Sequence, residues 1–179
     1  MDNLADIERR ASRIKLLLMD CDGVLTDGTL TLLENGDEQK SFNVRDGHGL
    51  VLLHRAGLQS GIISGRTSSF VKRRAAELGM DLELVCQGSL NKIQDFEELL
   101  SRAKVRDDEV AFVGDDVTDI PLMQRSEFAV AVADAVPETL AAAHYITRAQ
   151  GGHGAIREVT EIILKAQGHW NRLMERYVG

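Results

Sequence analysis

Two aspartates, Asp20 and Asp22, stand two residues apart directly after an apolar run at residues 14–19. A run this short that ends in Asp-x-Asp-Gly is typical of a buried strand that delivers both acids to the edge of a sheet. Two carboxylates at one edge can divide nucleophilic attack and proton transfer between them. A simple turn is the alternative explanation, so the pattern needs support from the rest of the chain.

Three further polar segments follow predicted elements of the same kind. Because the carboxyl ends of parallel strands share one edge of an open sheet, we expect all three to lie beside Asp20 and Asp22. The segments are Ser64-Gly65-Arg66-Thr67 after the second strand, Ser89-Leu90-Asn91-Lys92 at the next helix start, and Gly114-Asp115-Asp116-Val117-Thr118-Asp119 after the fourth strand. Ser64 and Lys92 have structural explanations when taken alone, whereas the three aspartates at 115–119 are hard to explain structurally, and together the segments favour a site.

These residue types fit the transfer of a phosphoryl group. A dianionic phosphate repels a carboxylate nucleophile, and Mg²⁺ bound by Asp20 and Asp115 can offset that repulsion. Lys92 adds a positive charge, and the Ser64 hydroxyl with nearby backbone N–H groups can bind phosphate oxygens. Asp20 would then attack phosphorus, while Asp22 would protonate the leaving alkoxide and activate water. The carboxylates of residues 115–119 also repel one another unless a cation is bound.

Several other chemistries lack the spacing they need. Neither Cys21 nor Cys86 has an arginine six positions later, as a thiolate phosphatase would require. A phosphate-binding P-loop would need Lys-Ser/Thr where the chain has Thr29-Leu30. The chain has no Gly-x-Gly-x-x-Gly after a strand, and its five histidines show no zinc-ligand spacing.

Composition limits the class of protein. A chain of 179 residues suits one domain, residues 1–179, that buries roughly 70% of its unfolded surface. The net charge of -7 argues against a nucleic acid or an anionic membrane as partner. Two cysteines suggest reduced thiols, and no stretch approaches the about 20 apolar residues of a membrane span, so we expect a soluble cytoplasmic protein.

The order of elements predicts an α/β fold with a doubly wound, mostly parallel sheet of the Rossmann-like kind. Predicted strands cover residues 14–19, 58–63, 82–86, 110–113, 128–132 and 144–147. Predicted helices cover residues 47–56, with Asp46 as N-cap, and residues 68–78, 91–103 and 154–167. Residues 169–179 form either a further helix or a tail.

One segment, residues 29–44, interrupts the alternation of strands and helices. Asn35-Gly36 lies between two short apolar stretches and predicts a β-hairpin after the first strand. Leu30, Leu32, Phe42 and Val44 would share one apolar face, which packs either on its own domain or on another subunit.

The four segments, in this order, resemble the motifs of the haloacid dehalogenase superfamily of aspartyl-phosphate phosphatases. Asp20-Cys21-Asp22-Gly23-Val24 is similar to motif one, Ser64 to motif two, Lys92 to motif three and Gly114-Asp115-Asp116 to motif four. The resemblance implies Asp20 as nucleophile and Asp22 as acid and base. It also implies Mg²⁺ held by Asp20, the Asp22 backbone carbonyl and Asp115, with Asp116 and Asp119 supporting the metal and its waters.

Further segments resemble the 3-deoxy-D-manno-octulosonate 8-phosphate phosphatase family. They are DGVLTDG at 22–28, FNVRDG at 42–47, ISGRT at 63–67, AVADA at 131–135 and GGHGA at 151–155. The resemblance implies a phosphorylated sugar acid as substrate, a role in lipopolysaccharide biosynthesis and no large cap domain. It also implies a homotetramer formed through the hairpins, in which the tail can reach a neighbouring site. We predict that Arg45, Gly65, Arg66 and Asn91 bind the substrate, with Arg66 suited to its carboxylate.

Three alternatives remain open at this stage. The same chemistry could act on another keto-sugar phosphate, such as a nine-carbon keto acid 9-phosphate. A phosphoacceptor signalling domain also combines aspartates, Mg²⁺, Ser/Thr and Lys, but it needs no acid two residues after the acceptor. A scaffolding relative without catalysis would not be expected to keep Asp20, Asp22, Lys92 and Asp115 together.

Overall fold

The computed structural model describes residues 4–34 and 38–178. Its strands are β1 Leu16–Met19, β2 Thr31–Leu32, β3 Glu38–Gln39, β4 Gln59–Ser64, β5 Val85–Gln87, β6 Val110–Gly114, β7 Phe128–Ala131 and β8 Tyr145–Ile146. Its α-helices are α1 Leu4–Ala11, α2 Val44–Arg55, α3 Ser69–Glu77, α4 Lys92–Ala103, α5 Ile120–Arg125, α6 Pro137–Ala142, α7 Ala155–Ala166 and α8 Trp170–Val178. Six strands form one sheet in the order β5-β4-β1-β6-β7-β8.

The predicted doubly wound sheet is confirmed, and every strand pairing within it is parallel. Strand β1 pairs with β4 on one side and with β6 on the other. All four residues of β1 and all five of β6 are buried, as expected for strands covered on both faces by helices. The ends of β1, β4 and β6 therefore lie side by side and three of the predicted site segments follow them, while the segment at 89–92 follows β5.

Helix α2 begins earlier than the sequence predicted, so the assignment of Asp46 as its N-cap was wrong. Asn43 is the N-cap, and its side-chain oxygen accepts a hydrogen bond from the Arg45 N–H at 2.8 Å. Asp46 lies in the first turn and is 1% exposed. Its carboxylate accepts from the N–H groups of Gly154 and Arg157 at 3.1 and 2.7 Å, and so binds the N-terminus of α7 instead.

Other elements also differ from the predictions. Residues 82–84 form a 3₁₀ turn, whose first N–H groups are capped by Asp81, and the strand follows only at Val85–Gln87. The charged N-terminal segment contains α1, which the sequence analysis did not predict. Ile7 and Ala11 of α1 are buried, while its arginines pair with Asp6 and Glu127 on the exposed side.

The hairpin is present as a separate two-stranded antiparallel sheet made of β2 and β3. Its predicted Asn-Gly turn, at residues 35–37, lies outside the described residues. Leu30, Leu32 and Leu33 are exposed. Phe42 instead packs against the core of its own chain, and Val44 is the exposed first residue of α2, so the predicted four-residue face is divided.

The C-terminal residues form α8, which packs on its own chain. Tyr177 accepts a hydrogen bond from Arg55 of α2 at 2.8 Å, and the Trp170 ring lies beneath Arg157 and Lys165 of α7. Among the described residues, we find no helix with the length and apolar character that crossing a membrane requires.

Candidate active site

A cavity of about 580 Å³ opens at the carboxyl edge of the sheet. Eight of the predicted site residues line it, which confirms that the polar segments converge: Asp20, Asp22, Ser64, Gly65, Arg66, Asn91, Lys92 and Asp116. Ser89, Leu90 and Ile93 add to its wall. Arg45 is exposed at the start of α2 and does not line this cavity.

The loop after β1 fixes the position of Asp20. The Asp20 N–H donates to the Val113 carbonyl of β6 at 3.0 Å, and the Cys21 N–H donates to Asp20 Oδ1 at 2.7 Å. The loop then curls back, because the N–H groups of Leu25 and Thr26 both donate to the Cys21 carbonyl. Gly23 has φ +91°, a conformation in which a residue with a side chain would be strained.

The glycine-rich segment at 151–154 packs directly on this loop. The Gly152 N–H donates to the Val24 carbonyl at 2.9 Å. A Cβ atom on Gly151 would lie 1.7 Å from the Gly23 carbonyl oxygen, so only glycine allows this close approach. The segment therefore supports the shape of the loop that carries Asp20 and Asp22.

Three carboxylates form a cluster beside Asp20. Oxygen atoms of Asp20, Asp115 and Asp119 all lie within 4.8 Å of one another. Lys92 Nζ donates to Asp119 Oδ1 at 2.7 Å and to Asp20 Oδ2 at 3.2 Å. Asp119 Oδ2 also accepts from the Asp115 N–H at 3.1 Å, so this fully buried side chain orders the loop that holds Asp115.

The close packing of these acids shifts their protonation. Burial, followed by the charge of Asp119, raises the pKa of Asp20 to about 6, although Lys92 opposes the shift. Burial and the charges of Asp119, Asp20 and Asp116 raise the pKa of Asp115 to about 7. Burial lowers the pKa of Lys92, but the carboxylates of Asp119 and Asp20 outweigh it, and the net shift is upward. The site therefore holds an excess of negative charge.

This donor set fits a hard divalent cation. Asp115 Oδ1 is buried and has no hydrogen-bond donor among the described residues. Burial and the neighbouring acids also make a negative charge on Asp115 unfavourable unless a cation balances it. Carboxylate oxygens are the ligands that Mg²⁺ prefers. Asp116 is placed differently, since its Oδ1 accepts from the Val117 N–H at 2.7 Å and caps the turn of Val117–Asp119.

The Asp22 carboxylate lies apart from that cluster and contacts cations. Its Oδ1 accepts a hydrogen bond from Lys40 Nζ, and its Oδ2 lies 3.8 Å from Arg66 Nε. Arg66 in turn donates to Glu38 of β3. The sequence analysis missed Lys40 and Glu38, because a charged residue in a hairpin is ordinarily a solvated one.

Ser64 and Asn91 occupy the ends of their elements. Ser64 is the last residue of β4, is 2% exposed, and its Oγ accepts from the Arg66 N–H at 3.3 Å. The Asn91 side chain accepts from the Gln94 N–H at 3.3 Å and caps α4, which starts at Lys92. Both residues line the same cavity as Asp20.

The neighbouring cysteine takes no part as a nucleophile. Burial, with a smaller contribution from Asp22, raises the pKa of the Cys21 thiol to about 12. A thiol in that state has almost no thiolate at neutral pH. The structure thus agrees with the exclusion of thiolate chemistry that the cysteine spacing indicated.

Comparison with known proteins places this geometry in a class. Residues 84–158 match the model of the haloacid dehalogenase-like hydrolase family. That match contains Lys92 and Asp115, and the loop that carries Asp20 and Asp22 lies before it. The fold is that of the haloacid dehalogenase superfamily.

Individual relatives narrow the assignment. The chain is 43% identical over 164 residues to the 3-deoxy-D-manno-octulosonate 8-phosphate phosphatase of Escherichia coli K12, covering 92% of this chain and 86% of that protein. The crystal structure of the Yersinia pestis phosphatase of the same name matches with a TM-score of 0.90 and 42% identity, over 93% of this chain and 89% of that one. The chain belongs to the 3-deoxy-D-manno-octulosonate 8-phosphate phosphatase family, as its motifs indicated.

A second solved structure bears on the chemistry of the site. It is the Moraxella catarrhalis 3-deoxy-D-manno-octulosonate 8-phosphate phosphatase in complex with a magnesium ion, a phosphate ion and a KDO molecule. This chain matches it with a TM-score of 0.92 and 37% identity, over 96% of this chain and 98% of that one.

Proposed function

We propose that this protein is a Mg²⁺-dependent phosphatase that hydrolyses 3-deoxy-D-manno-octulosonate 8-phosphate to KDO and phosphate. The observation that carries the proposal is the cluster of Asp20, Lys92 and Asp115, with Asp22 lining the same cavity as Asp20 and Lys92. Family membership supports the substrate, and the phosphate and KDO of the Moraxella complex match both products. The reaction would supply the sugar acid of bacterial lipopolysaccharide.

The proposed reaction has two displacements at phosphorus. Asp20 Oδ attacks the phosphorus atom, the bond to the sugar oxygen breaks, and an aspartyl phosphate forms. Asp22 donates a proton to the departing sugar oxygen. It then takes a proton from water, which attacks the aspartyl phosphate and releases phosphate and free Asp20.

Charge around the phosphoryl group is balanced by groups of this chain. Lys92 and the Ser64 hydroxyl bind phosphate oxygens, together with backbone N–H groups at the ends of β4 and α4. Asp20, Asp115 and the Asp22 backbone carbonyl would hold Mg²⁺, which supplies positive charge that offsets repulsion between the nucleophile and the phosphate. Asp119 keeps Lys92 and the Asp115 loop in place.

Arg66 is the residue that we assign to the substrate carboxylate. Its side chain is 47% exposed at the cavity and is held on one side by Glu38. A guanidinium binds a carboxylate through two parallel hydrogen bonds, which favours a sugar acid over a neutral sugar. Gly65 and Asn91 line the cavity next to Arg66 and complete this part of the site.

A substrate comparison tests the proposed function. The eight-carbon acid 8-phosphate, a nine-carbon keto acid 9-phosphate and a neutral hexose 6-phosphate are assayed with and without Mg²⁺. We expect the highest kcat/KM for the eight-carbon acid and a large loss for the hexose phosphate, because Arg66 then lacks its partner. A higher kcat/KM for the nine-carbon acid would overturn the substrate assignment while leaving the chemistry intact.

The protonation of the cluster predicts how Mg²⁺ stabilises the protein. Without metal, Asp20 and Asp115 bind protons more tightly in the folded chain than in the unfolded one, since their pKa values rise to about 6 and 7. Their contribution to stability is therefore full below about pH 4 and is lost as the pH rises through the raised values. Mg²⁺ replaces those protons. We expect Mg²⁺ to raise the melting temperature clearly at pH 8 and little at pH 5, and the reverse order would contradict the assignment.

The exposed hairpin leucines support a homotetramer. Leu32 is 69% exposed, and Leu30 and Leu33 lie beside it, which leaves an apolar surface on a single chain. We expect light scattering to give the mass of four chains at micromolar concentration, and Leu32→Asp to give a smaller species. Leu4→Asp, which changes an equally exposed leucine on α1, serves as the control and should stay tetrameric. A wild-type monomer would contradict this arrangement.

The proposed location of the protein is the cytoplasm. Both cysteines are free, which agrees with the cytoplasmic location that the sequence favours. The partner is a small phosphorylated sugar acid, and neither nucleic acid nor membrane is required for this reaction.

A further inference from the structure

The hairpin brings one buried lysine into the site. Lysine side chains are almost never fully buried unless they are paired, because removing an ammonium group from water is costly. The Lys40 side chain is only 5% exposed, and its Nζ donates a hydrogen bond to Asp22 Oδ1. The pairing is long-range, since 18 residues separate Lys40 from Asp22. Lys40 is thus a specific partner of the Asp22 carboxylate.

The contact belongs to an ordered row of charges. Glu38 lies in β3, and Lys40 directly follows this strand. Lys40 binds Asp22, Arg66 lies between Asp22 and Glu38, and Glu38 accepts a hydrogen bond from Arg66. Positive and negative groups therefore alternate from Lys40 to Glu38, and the two middle members, Asp22 and Arg66, line the cavity.

The two oxygens of Asp22 are held unequally. Oδ1 carries the hydrogen bond from Lys40. Oδ2 is itself buried and has no hydrogen-bond partner among the described residues, and Arg66 Nε is 3.8 Å away. A group that transfers a proton must lie within hydrogen-bond reach of the reacting atom. Oδ1 is therefore the anchored oxygen, and the hydrogen bond from Lys40 fixes how the Asp22 carboxylate is turned.

We infer that Lys40 is a positioning residue for proton transfer by Asp22. It acts through the Asp22 carboxylate, by anchoring Oδ1 and so holding the carboxylate in the orientation in which it exchanges a proton with the departing sugar oxygen. This inference rests on the proposed function and adds a role for the hairpin of the same chain. The competing explanation is that the Lys40–Asp22 pair only fastens the hairpin to the domain.

Leaving-group dependence separates the two explanations. An alkyl phosphate needs a proton on its departing oxygen, whereas p-nitrophenyl phosphate departs as a stable anion and needs none. The ratio kcat/KM reports the steps up to that departure, so it isolates proton donation. For Lys40→Met, we expect kcat/KM on 3-deoxy-D-manno-octulosonate 8-phosphate to fall about 100-fold, and on p-nitrophenyl phosphate to fall far less. Asp22→Asn should show the same bias.

Matched variants complete the experiment. Lys40→Arg keeps a cation beside Asp22 and should restore most of the lost kcat/KM. Lys72→Met removes an exposed lysine on α3 and should leave kcat/KM for both substrates unchanged. If Lys40→Met melts below the assay temperature, Lys40→Gln, which keeps a hydrogen-bond donor of similar length, takes its place.

The outcomes are distinct. Equal losses on both substrates, or wild-type kcat/KM in Lys40→Met, would overturn the positioning role. Failure of Lys40→Arg to recover activity would also count against it, since that variant retains the charge. If the wild type hydrolyses p-nitrophenyl phosphate but not the sugar acid phosphate, the proposed substrate fails. In that case the comparison is repeated with a simple alkyl phosphate that the enzyme accepts, and the inference about Lys40 is judged on it.

Discussion

Asp20→Asn should lower kcat/KM for 3-deoxy-D-manno-octulosonate 8-phosphate by roughly 10⁴-fold or more, because it removes the nucleophile. An amide oxygen cannot form the aspartyl phosphate, and the other nearby carboxylates are held by neighbouring groups or, for Asp115, assigned to the metal. Asp119 is occupied by Lys92 and by the Asp115 N–H, and Asp22 is held by Lys40. Steady-state kinetics with the purified variant measures this loss.

Rapid acid quenching followed by intact-protein mass measurement gives an independent readout. The wild type should carry a phosphoryl adduct during turnover, and Asp20→Asn should carry none. Asp27→Asn changes an exposed aspartate of the same loop and serves as the matched control. An Asp20→Asn protein that turns over at the wild-type rate would contradict the proposed reaction.

Gly23→Ala is expected to weaken Mg²⁺ binding strongly, although the substitution adds only one methyl group. A Cβ atom at position 23 would lie 2.1 Å from Asp115 Oδ2, so the Asp115 carboxylate must move. Displacing a group that orients a metal ligand costs about 10- to 100-fold in affinity, and moving the ligand itself should cost at least as much. The Mg²⁺ concentration for half-maximal activity and calorimetric titration of Mg²⁺ measure the effect.

Gly57→Ala provides a control that should lose a similar amount of stability from its backbone conformation. Gly57 has φ +87°, close to the +91° of Gly23, and a Cβ atom there would have no other atom within 4 Å. The two variants should lose similar stability from the left-handed backbone, about 1–2 kcal/mol each. Only Gly23→Ala should change the Mg²⁺ requirement. An unchanged requirement in Gly23→Ala would mean that Asp115 is not a metal ligand.

The sheet and the centre of the site could be predicted from the sequence for a topological reason. Asp20, Ser64 and Asp115 each follow an apolar run, and parallel strands bring such positions to one edge wherever the helices lie. Lys92 could be added because it begins a helix that follows a strand. These positions depend on strand order and direction, which the alternation of elements specifies, and hardly on side-chain packing.

Residues whose role depends on packing across the chain were not predictable in the same way. Asp46 looks like a local N-cap, but its carboxylate binds the start of α7, 108 residues further on. Lys40 has the sequence context of a solvated hairpin residue, and its burial against Asp22 follows from how the hairpin folds over the site. Neither contact has a periodicity or a spacing that a single sequence reveals.

The hairpin illustrates the same limit. The Asn35-Gly36 pair predicted the hairpin, and the alternating apolar residues beside it predicted one shared apolar face. Phe42 nevertheless turns to the core of its own chain, while Leu32 stays exposed. Whether an apolar hairpin residue is buried or exposed depends on the space beside α2 and α3, which only the folded chain defines.

The most direct test of the central proposal is phosphate release from 3-deoxy-D-manno-octulosonate 8-phosphate by the wild-type protein, measured with Mg²⁺ and after chelation. The arrangement of Asp20, Asp22, Lys92 and Asp115 predicts rapid release with Mg²⁺, loss after chelation and recovery when Mg²⁺ is restored. Undetectable release in the presence of Mg²⁺, or release that chelation does not change, would contradict it.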